Sequence, residues 1–310
     1  MKFWIGIAVV FLAALGTALS GANEYFFYAG YVVLTFVVLA TAWNILGGYA
    51  GYVNFGTAAF FAIGSYTAVV LFKWLGAPLA VQIVAASAVS GLLGFGVGLL
   101  TLRLRGIFFA IATVAIIFIM ETMMMNWRYV GGATGLQLLR PDVLQPFASY
   151  TRMLFFVMAL LAVIAVSVAR YVQVSWIGRG LRAIRDSEEA AECSGVPTLK
   201  LKLFACTVSG ALMGAAGAPM PMYLSFIEPA SSFSLNYSVS ALAMPMIGGT
   251  VHWLGPVLGA LLLGSIQQIV TVTISGEINV LVIGVLLVLF VVFAPDGVLG
   301  LFKKLWPRRS

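Results

Sequence analysis

Ile107 to Asn126 reads IFFAIATVAIIFIMETMMMN, a run of twenty residues carrying one charge, Glu121. As a helix it would rise about 30 Å, the thickness of a bilayer's hydrocarbon core. The same texture continues on both sides. Comparable windows fall at 3–19, 28–46, 55–72 and 79–102 before it, and at 153–169, 201–223, 237–249, 257–274 and 278–293 after it. The window at 237–249 is short and contains Pro245; a broken or partly re-entrant helix is expected there, tolerated where protein or water covers the loosened backbone. Ten spans are therefore predicted. Composition agrees: of 310 residues, 62% are hydrophobic and 9% charged, with a mean hydropathy of +1.07. Soluble domains carry about 25% charge and need a polar shell, so a soluble fold is excluded. No alternating ten-residue pattern of a barrel occurs, and backbone groups in lipid must be satisfied within the segment, so the class is all-α, a polytopic helical membrane protein forming one transmembrane domain over 1–310.

The net charge of +7 does not indicate nucleic-acid binding, because the basic residues are sparse and separated by apolar runs. They fit membrane orientation. With ten spans both termini share a side, and a cytoplasmic N-terminus gives that side Lys2, Arg103, Arg105, Arg170, Arg179, Arg182, Arg185, Lys200, Lys202, Lys303, Lys304, Arg308 and Arg309. Only Lys73, Arg128, Arg140 and Arg152 fall outside. The first window also has the layout of a signal peptide, with Lys2 before it and Ala18-Leu19-Ser20-Gly21 at its end, but its seventeen apolar residues are long for such a segment.

Enzymatic constellations are nearly absent. One histidine, His252, excludes multi-histidine metal cages and reads as a turn residue beside Trp253. No Gly-Lys dipeptide occurs, so a phosphate-binding P-loop is excluded and this chain is expected to have no ATP site of its own. Cys193 and Cys206 form no framework and read as packing thiols. Gly94/Gly98, Gly210/Gly214 and Gly255/Gly259 have the spacing of close helix approach, within this chain or with a partner. A weak internal echo relates Gly47-Gly48 through Gly64-Ser65 to Gly248-Gly249 through Gly264-Ser265.

Charge is concentrated in one place. Ten of the 27 charged residues lie from Arg170 to Lys202, in and immediately beside the single large cytoplasmic element, the loop 171–200. Within it, Asp186-Ser187-Glu188-Glu189-Ala190-Ala191-Glu192-Cys193-Ser194-Gly195-Val196-Pro197 reads as a short punctuated helix. Asp186 is the expected N-cap, with Glu189 three residues on as in a capping box. Gly195 supplies a left-handed C-terminal position and Pro197 prevents continuation. Two turns of helix are marginal alone, so this one needs a docking surface.

Glu189-Ala190-Ala191-x-x-x-Gly195 resembles the Glu-Ala-Ala-x-x-x-Gly loop of binding-protein-dependent ABC importer permeases. The surrounding motifs resemble the branched-chain amino acid permease family, its M-type subunit in particular. They are Ala42-Trp43-Asn44-Ile45-Leu46-Gly47-Gly48-Tyr49-Ala50-Gly51, Asn54 to Tyr66, Leu102 to Thr113, Gly131-Gly132-x-x-Gly135-Leu136, Gly178 to Asp186 and Gly255-Pro256-Val257-Leu258-Gly259-Ala260, and the resemblance as a whole covers roughly Ala42 to Gly300. The resemblance implies a bacterial inner-membrane subunit that pairs with a homologous second permease, two cytoplasmic ATPase subunits that bind ATP and magnesium, and an extracytoplasmic solute-binding protein. In such importers the loop helix is a coupling helix seated on the ATPase, which here implicates Asp186, Glu188, Glu189, Ala190, Ala191 and Gly195. A distal Ile-x-Leu-Pro found in other permease families is missing, so ATPase contacts do not transfer beyond Glu189 to Gly195.

For the pathway, Glu121 is the one acidic residue well inside a predicted span, and an intramembrane carboxylate is a functional candidate by default. The resemblance implies contact with a substrate ammonium; the plainer reading pairs Glu121 with Arg128. Asn44, Asn54 and Thr57 are further pathway candidates, with Ser65, Thr113, Asn236 and Gln267 behind them, although polar residues in helix bundles usually bond a neighbouring backbone. The expected function is import of branched-chain or related neutral amino acids. Urea or short amides as substrates, or proton-coupled secondary transport through Glu121, are the alternatives.

Overall fold

The computed structural model describes residues 23–140 apart from 102 and 105, residues 147–273, and the isolated positions 6, 16–18, 281, 284–285, 287–289 and 297–300. The expected windows at 3–19 and 278–293 lie largely outside the described residues, as do Lys2, Arg105, Lys303, Lys304, Arg308 and Arg309.

Apolar runs become long helices: α1 (Glu24–Ala50), α2 (Thr57–Leu75), α3 (Leu79–Thr101), α4 (Ile107–Asn126) and α5 (Tyr150–Val174). The charged segment follows as α6 (Trp176–Asp186) and α7 (Glu188–Cys193), then α8 (Thr198–Gly217), α9 (Met220–Leu224), α10 (Pro229–Ser232), α11 (Leu235–Gly248) and α12 (Leu254–Thr273). Two short strands, β1 (Leu136–Gln137) and β2 (Phe226–Ile227), pair antiparallel with Leu136 opposite Ile227. Seven helical segments among the described residues are long and apolar enough to cross a bilayer: α1 to α5, α12, and Thr198–Leu224, which joins α8 to α9. The short α11 has Pro245 inside it.

Helix α1 is the centre of the bundle, with 72% of its apolar window buried, and it packs on α5, α8, α11 and α12. Helix α4 is peripheral, with 22% of its window buried. Its exposed Ile107, Phe108, Ile111, Phe118 and Ile119 present the surface that a lipid-facing helix requires. Small residues decide the tightest crossings. A Cβ on Gly94 would stand 2.8 Å from the Cys206 carbonyl oxygen and one on Gly210 2.9 Å from that of Ser90, so α3 and α8 meet almost backbone to backbone. A Cβ on Gly64 would run into the carbonyl of Gly214, which fixes the crossing of α2 and α8 in the same way. Gly255 and Gly259 lie against Gly249 and Met244, joining α12 to α11. The neighbours of these glycines are thus in this chain.

Two ends of the bundle can be distinguished. Tyr52, between α1 and α2, stacks edge-on against Phe109 at the start of α4, with ring centroids 5.2 Å apart, and belongs to the same apolar cluster as Leu181, Ala191 and Leu201. The end of α1 and the starts of α2 and α4 therefore lie with α6 and α7. At the opposite end, where α2 and α4 finish, the β1–β2 pair and α10 close over the helices. There Glu24 at the start of α1 accepts from the Arg152 guanidinium at 2.9 Å and from the Ser149 hydroxyl at 2.9 Å, tying α1 to α5.

Candidate functional site

The charged segment folds as two helices set end to end. Helix α6 continues through Asp186, whose successor Ser187 donates its N–H to the Ala183 carbonyl at 3.0 Å. Ser187 then turns extended, with φ −163° and ψ 112°, and its Oγ accepts from the N–H of Ala190 at 3.4 Å. The N-cap of α7 is therefore Ser187, and Asp186, expected in that role, is the last residue of the preceding helix. Either residue type caps well; α6 takes Asp186 because its hydrogen-bond ladder reaches that far. Three positions beyond Ser187 stands Ala190, so no capping box forms. The C-terminus follows the sequence reading: Gly195 has φ +80°, Val196 N–H reaches the Ala191 carbonyl at 3.0 Å, and α8 starts after Pro197.

Helix α7 has two different sides. Its inner side is fixed to its own bundle. Ala191 is buried among Leu181, Ile184 and Leu201. Glu188 accepts from the Lys202 ammonium at 2.6 Å and from the Tyr52 hydroxyl, and Lys202 also donates to the Tyr52 oxygen at 3.1 Å. Lys202 is 3% exposed, a buried cation on α8 whose charge is matched by Glu188. Thr198 donates to Glu192 at 2.7 Å, and Arg185 of α6 donates to the Gly48 carbonyl at 2.7 Å. The short helix is thus latched both to the α1–α2 break and to the first turn of α8. Its other side is open: Glu189, Ala190, Glu192, Cys193, Ser194 and Gly195 are exposed.

Tyr52, Arg185 and Ser187 do not stand out in the sequence as anchors of this helix. Lys202, set between Leu201 and Leu203 at the start of an apolar run, was the one visible signal, since a cation in that setting needs a partner.

The pathway candidates divide into two places. Asn54 shapes the α1–α2 break: its Oδ1 accepts from Gly56 N–H at 2.8 Å, its carbonyl accepts from the Trp43 indole at 2.7 Å, and the adjacent Phe55 N–H donates to Thr113 Oγ1 at 3.1 Å. Asn44 donates to the Thr250 carbonyl at 3.1 Å, linking α1 to the α11–α12 turn. Asn44 Oδ1 and Thr57 Oγ1 are buried with no hydrogen-bond partner among the described residues. Glu121 is elsewhere, eight positions beyond Thr113 along α4, about 12 Å on. It is partly exposed, and no ion pair joins it to Arg128 among the described residues. Ser65 donates to the Gly217 carbonyl at 2.8 Å, and Gln267 reaches Ser240 at 3.5 Å. His252 accepts from Leu254 N–H at 3.2 Å within its turn. Cys206 is buried, as a packing thiol should be, but Cys193 is exposed on the open side of α7. Among the described residues no group of three or more His, Cys, Asp or Glu is placed to hold a metal.

Residues 25–291 match the family model for the permease component of branched-chain amino acid transport systems. The chain belongs to this permease family. It is 28% identical to the LivM high-affinity branched-chain amino acid transport permease protein of Salmonella typhimurium over 297 residues, covering 88% of this chain and 69% of that one. The LivM protein of Escherichia coli K12 is 26% identical over the same shares. The LivH permease protein of Salmonella typhimurium is 22% identical over 289 residues, 86% of this chain and 91% of that one. No solved structure gives a significant match. The family, with seven helical segments among the described residues long and apolar enough to cross a bilayer, makes this chain a multi-pass membrane transport component.

Proposed function

We propose that this permease is the transmembrane subunit of an importer for branched-chain or related neutral amino acids, with ATP hydrolysed by separate cytoplasmic ATPase subunits. A homologous second permease completes the channel, an extracytoplasmic binding protein delivers substrate, and ATP and magnesium stay on the ATPases. The family membership and the similarity to both LivM and LivH support this assembly. Ten spans with both termini cytoplasmic follow from the apolar windows and the basic residues, in an inner membrane, with α7 inside and the β1–β2 end outside.

The observation that carries the reading is the two-sided α7 within the loop 171–200. Its exposed side displays Glu189, Ala190 and Gly195, while Glu188 and Ala191 hold the other side to the bundle. A short helix fixed in this way moves as a rigid body with the starts of α2 and α8, so closure of an ATPase beneath it would push on two spans at once. Of the residues expected to couple, Glu189, Ala190 and Gly195 would touch the ATPase, with Asp186 alongside at the end of α6, while Glu188 and Ala191 would transmit the push. Asn44, Asn54 and Thr57 support the α1–α2 break that receives it, and Glu121 lies on the entry side of the pathway. A pathway with few fixed charges suits a zwitterion better than a polyanion.

Purification from native membranes in mild detergent tests the assembly. A Walker-motif ATPase and a paralogous permease should co-purify with the chain. Isolation of the chain alone, with uptake that collapses under a protonophore and ignores ATP, would overturn the reading.

A further inference from the structure

At the end of the bundle away from α7, two carboxylates meet an apolar cluster. Ile117, Glu121 and Met124 are spaced four and three apart on α4 and so share a face. Ile117 and Met124 pack in one cluster with Tyr66 of α2, Ile227 of β2 and Phe233. Glu121 therefore lies on the side of α4 turned toward Tyr66 and toward the segment carrying Glu228. The turn 131–135 closes the arrangement: a Cβ on Gly132 would stand 3.1 Å from the Met125 carbonyl oxygen, and one on Gly135 would stand 3.0 Å from Glu228 Cβ.

Tyr66 is 2% exposed and stacks on Phe233 with ring centroids 6.0 Å apart. Its hydroxyl is buried with no hydrogen-bond partner among the described residues. The two glutamates are partly exposed, and neither is in an ion pair among the described residues. Basic groups of the same end are engaged elsewhere. Lys73 donates to the Tyr129 carbonyl at 2.6 Å, Arg140 to the carbonyls of Met222 and Tyr223 at 3.1 and 2.7 Å, and Arg152 to Glu24, while Arg128 is exposed. Two carboxylates beside an orphaned hydroxyl on an apolar wall are an incomplete set that a cation would complete. A primary ammonium has three N–H donors, and two carboxylates with one phenol oxygen offer three acceptor groups.

We propose that Glu121, Glu228 and Tyr66 form a site for the primary ammonium group of the transported amino acid where it enters the permease. The site rests on the importer reading and extends it from Glu121 to two residues given no pathway role by the sequence, Glu228 and Tyr66. The test is leucine uptake by the intact complex in proteoliposomes supplied with its binding protein. Glu121→Gln and Glu228→Gln should each lower the kcat of uptake about tenfold or more, as expected for loss of a charge-assisted bond. Binding-protein-stimulated ATP hydrolysis should stay within about twofold, because α7 lies at the other end. Tyr66→Phe should give a smaller loss, and Glu228→Asp should recover part of the Glu228→Gln defect, which a folding defect would not predict. Uptake at the wild-type rate in the Glu121→Gln/Glu228→Gln double variant would overturn the site. So would wild-type uptake that depended on sodium or calcium and fell when choline or a chelator replaced them, since the carboxylates would then hold an inorganic ion. Failure of the importer reading shows differently, as absence of ATP-driven leucine uptake in the unaltered complex.

Discussion

Lys202 is the residue on which the two-sided helix depends. Burying an ammonium is unfavourable by several kcal/mol unless it is matched, and here one carboxylate and one phenol match it at 2.6 and 3.1 Å. Removing only the cation leaves the largely buried Glu188 carboxylate with the Tyr52 hydroxyl but without the opposite charge at 2.6 Å, so Lys202→Met should destabilise the protein by about 3–5 kcal/mol in thermal or denaturant unfolding in detergent. Adding Glu188→Leu should recover most of that loss, because an apolar pair of similar size needs no compensation. If the single variant were as stable as wild type, the latch would contribute nothing. The sequence showed Glu188 as part of a charged helix but could not show which way it faces. Its partners lie 14 and 136 positions away, and local spacing carries no information about contacts made by the fold. The misassigned cap has a different cause: Asp186 and Ser187 are both good caps, and the choice was made by how far α6 extends.

Among the elements, the long helices were legible because bilayer thickness dictates their length, and the windows drawn from apolar runs coincide with α1 to α5, α8 and α12 within a few residues at most ends. Their crossings were legible only as possibilities. The glycines of α3 and α8 announced close approach, yet which helix each one faces required the fold. Helix α2 shows what this means for a substitution. Gly64→Ala places its Cβ against the Gly214 carbonyl, part of a backbone that cannot rotate aside, whereas Gly96→Ala on α3 meets nothing within 4 Å. Gly96→Ala should be neutral or stabilising by up to about 1 kcal/mol, from the gain in helix propensity alone. Gly64→Ala should lower the folded yield and the melting temperature, and fluorescence-detected size exclusion with a thermal ramp would separate the two. Equal behaviour would mean that α2 and α8 are not held at backbone contact. The candidate site was partly legible at this scale. The C-terminal glycine and the proline of α7 were visible as punctuation, while its N-cap was placed one residue early and its anchoring was not visible.

Over the whole molecule, the bundle is organised between two chemically different ends: a basic one that carries the latched helix and an opposite one closed by β1, β2 and α10. Cys193 reports directly on which end is inside, because it is exposed on α7 while Cys206 is buried. A membrane-impermeant maleimide should label Cys193 in inverted vesicles and not in intact cells. Bound ATPase subunits should protect it from that label. Labelling from outside would reverse the orientation. The central claim, that the energy for transport enters through α7, is tested most directly at Gly195. With φ at +80° and nothing within 4 Å of its Cβ position, Gly195→Val introduces backbone strain of about 1–2 kcal/mol without a steric clash elsewhere. Binding-protein-stimulated ATP turnover and leucine uptake should be measured together on the purified complex carrying this change. The account predicts an assembled complex in which both fall several-fold; wild-type turnover and uptake would contradict it.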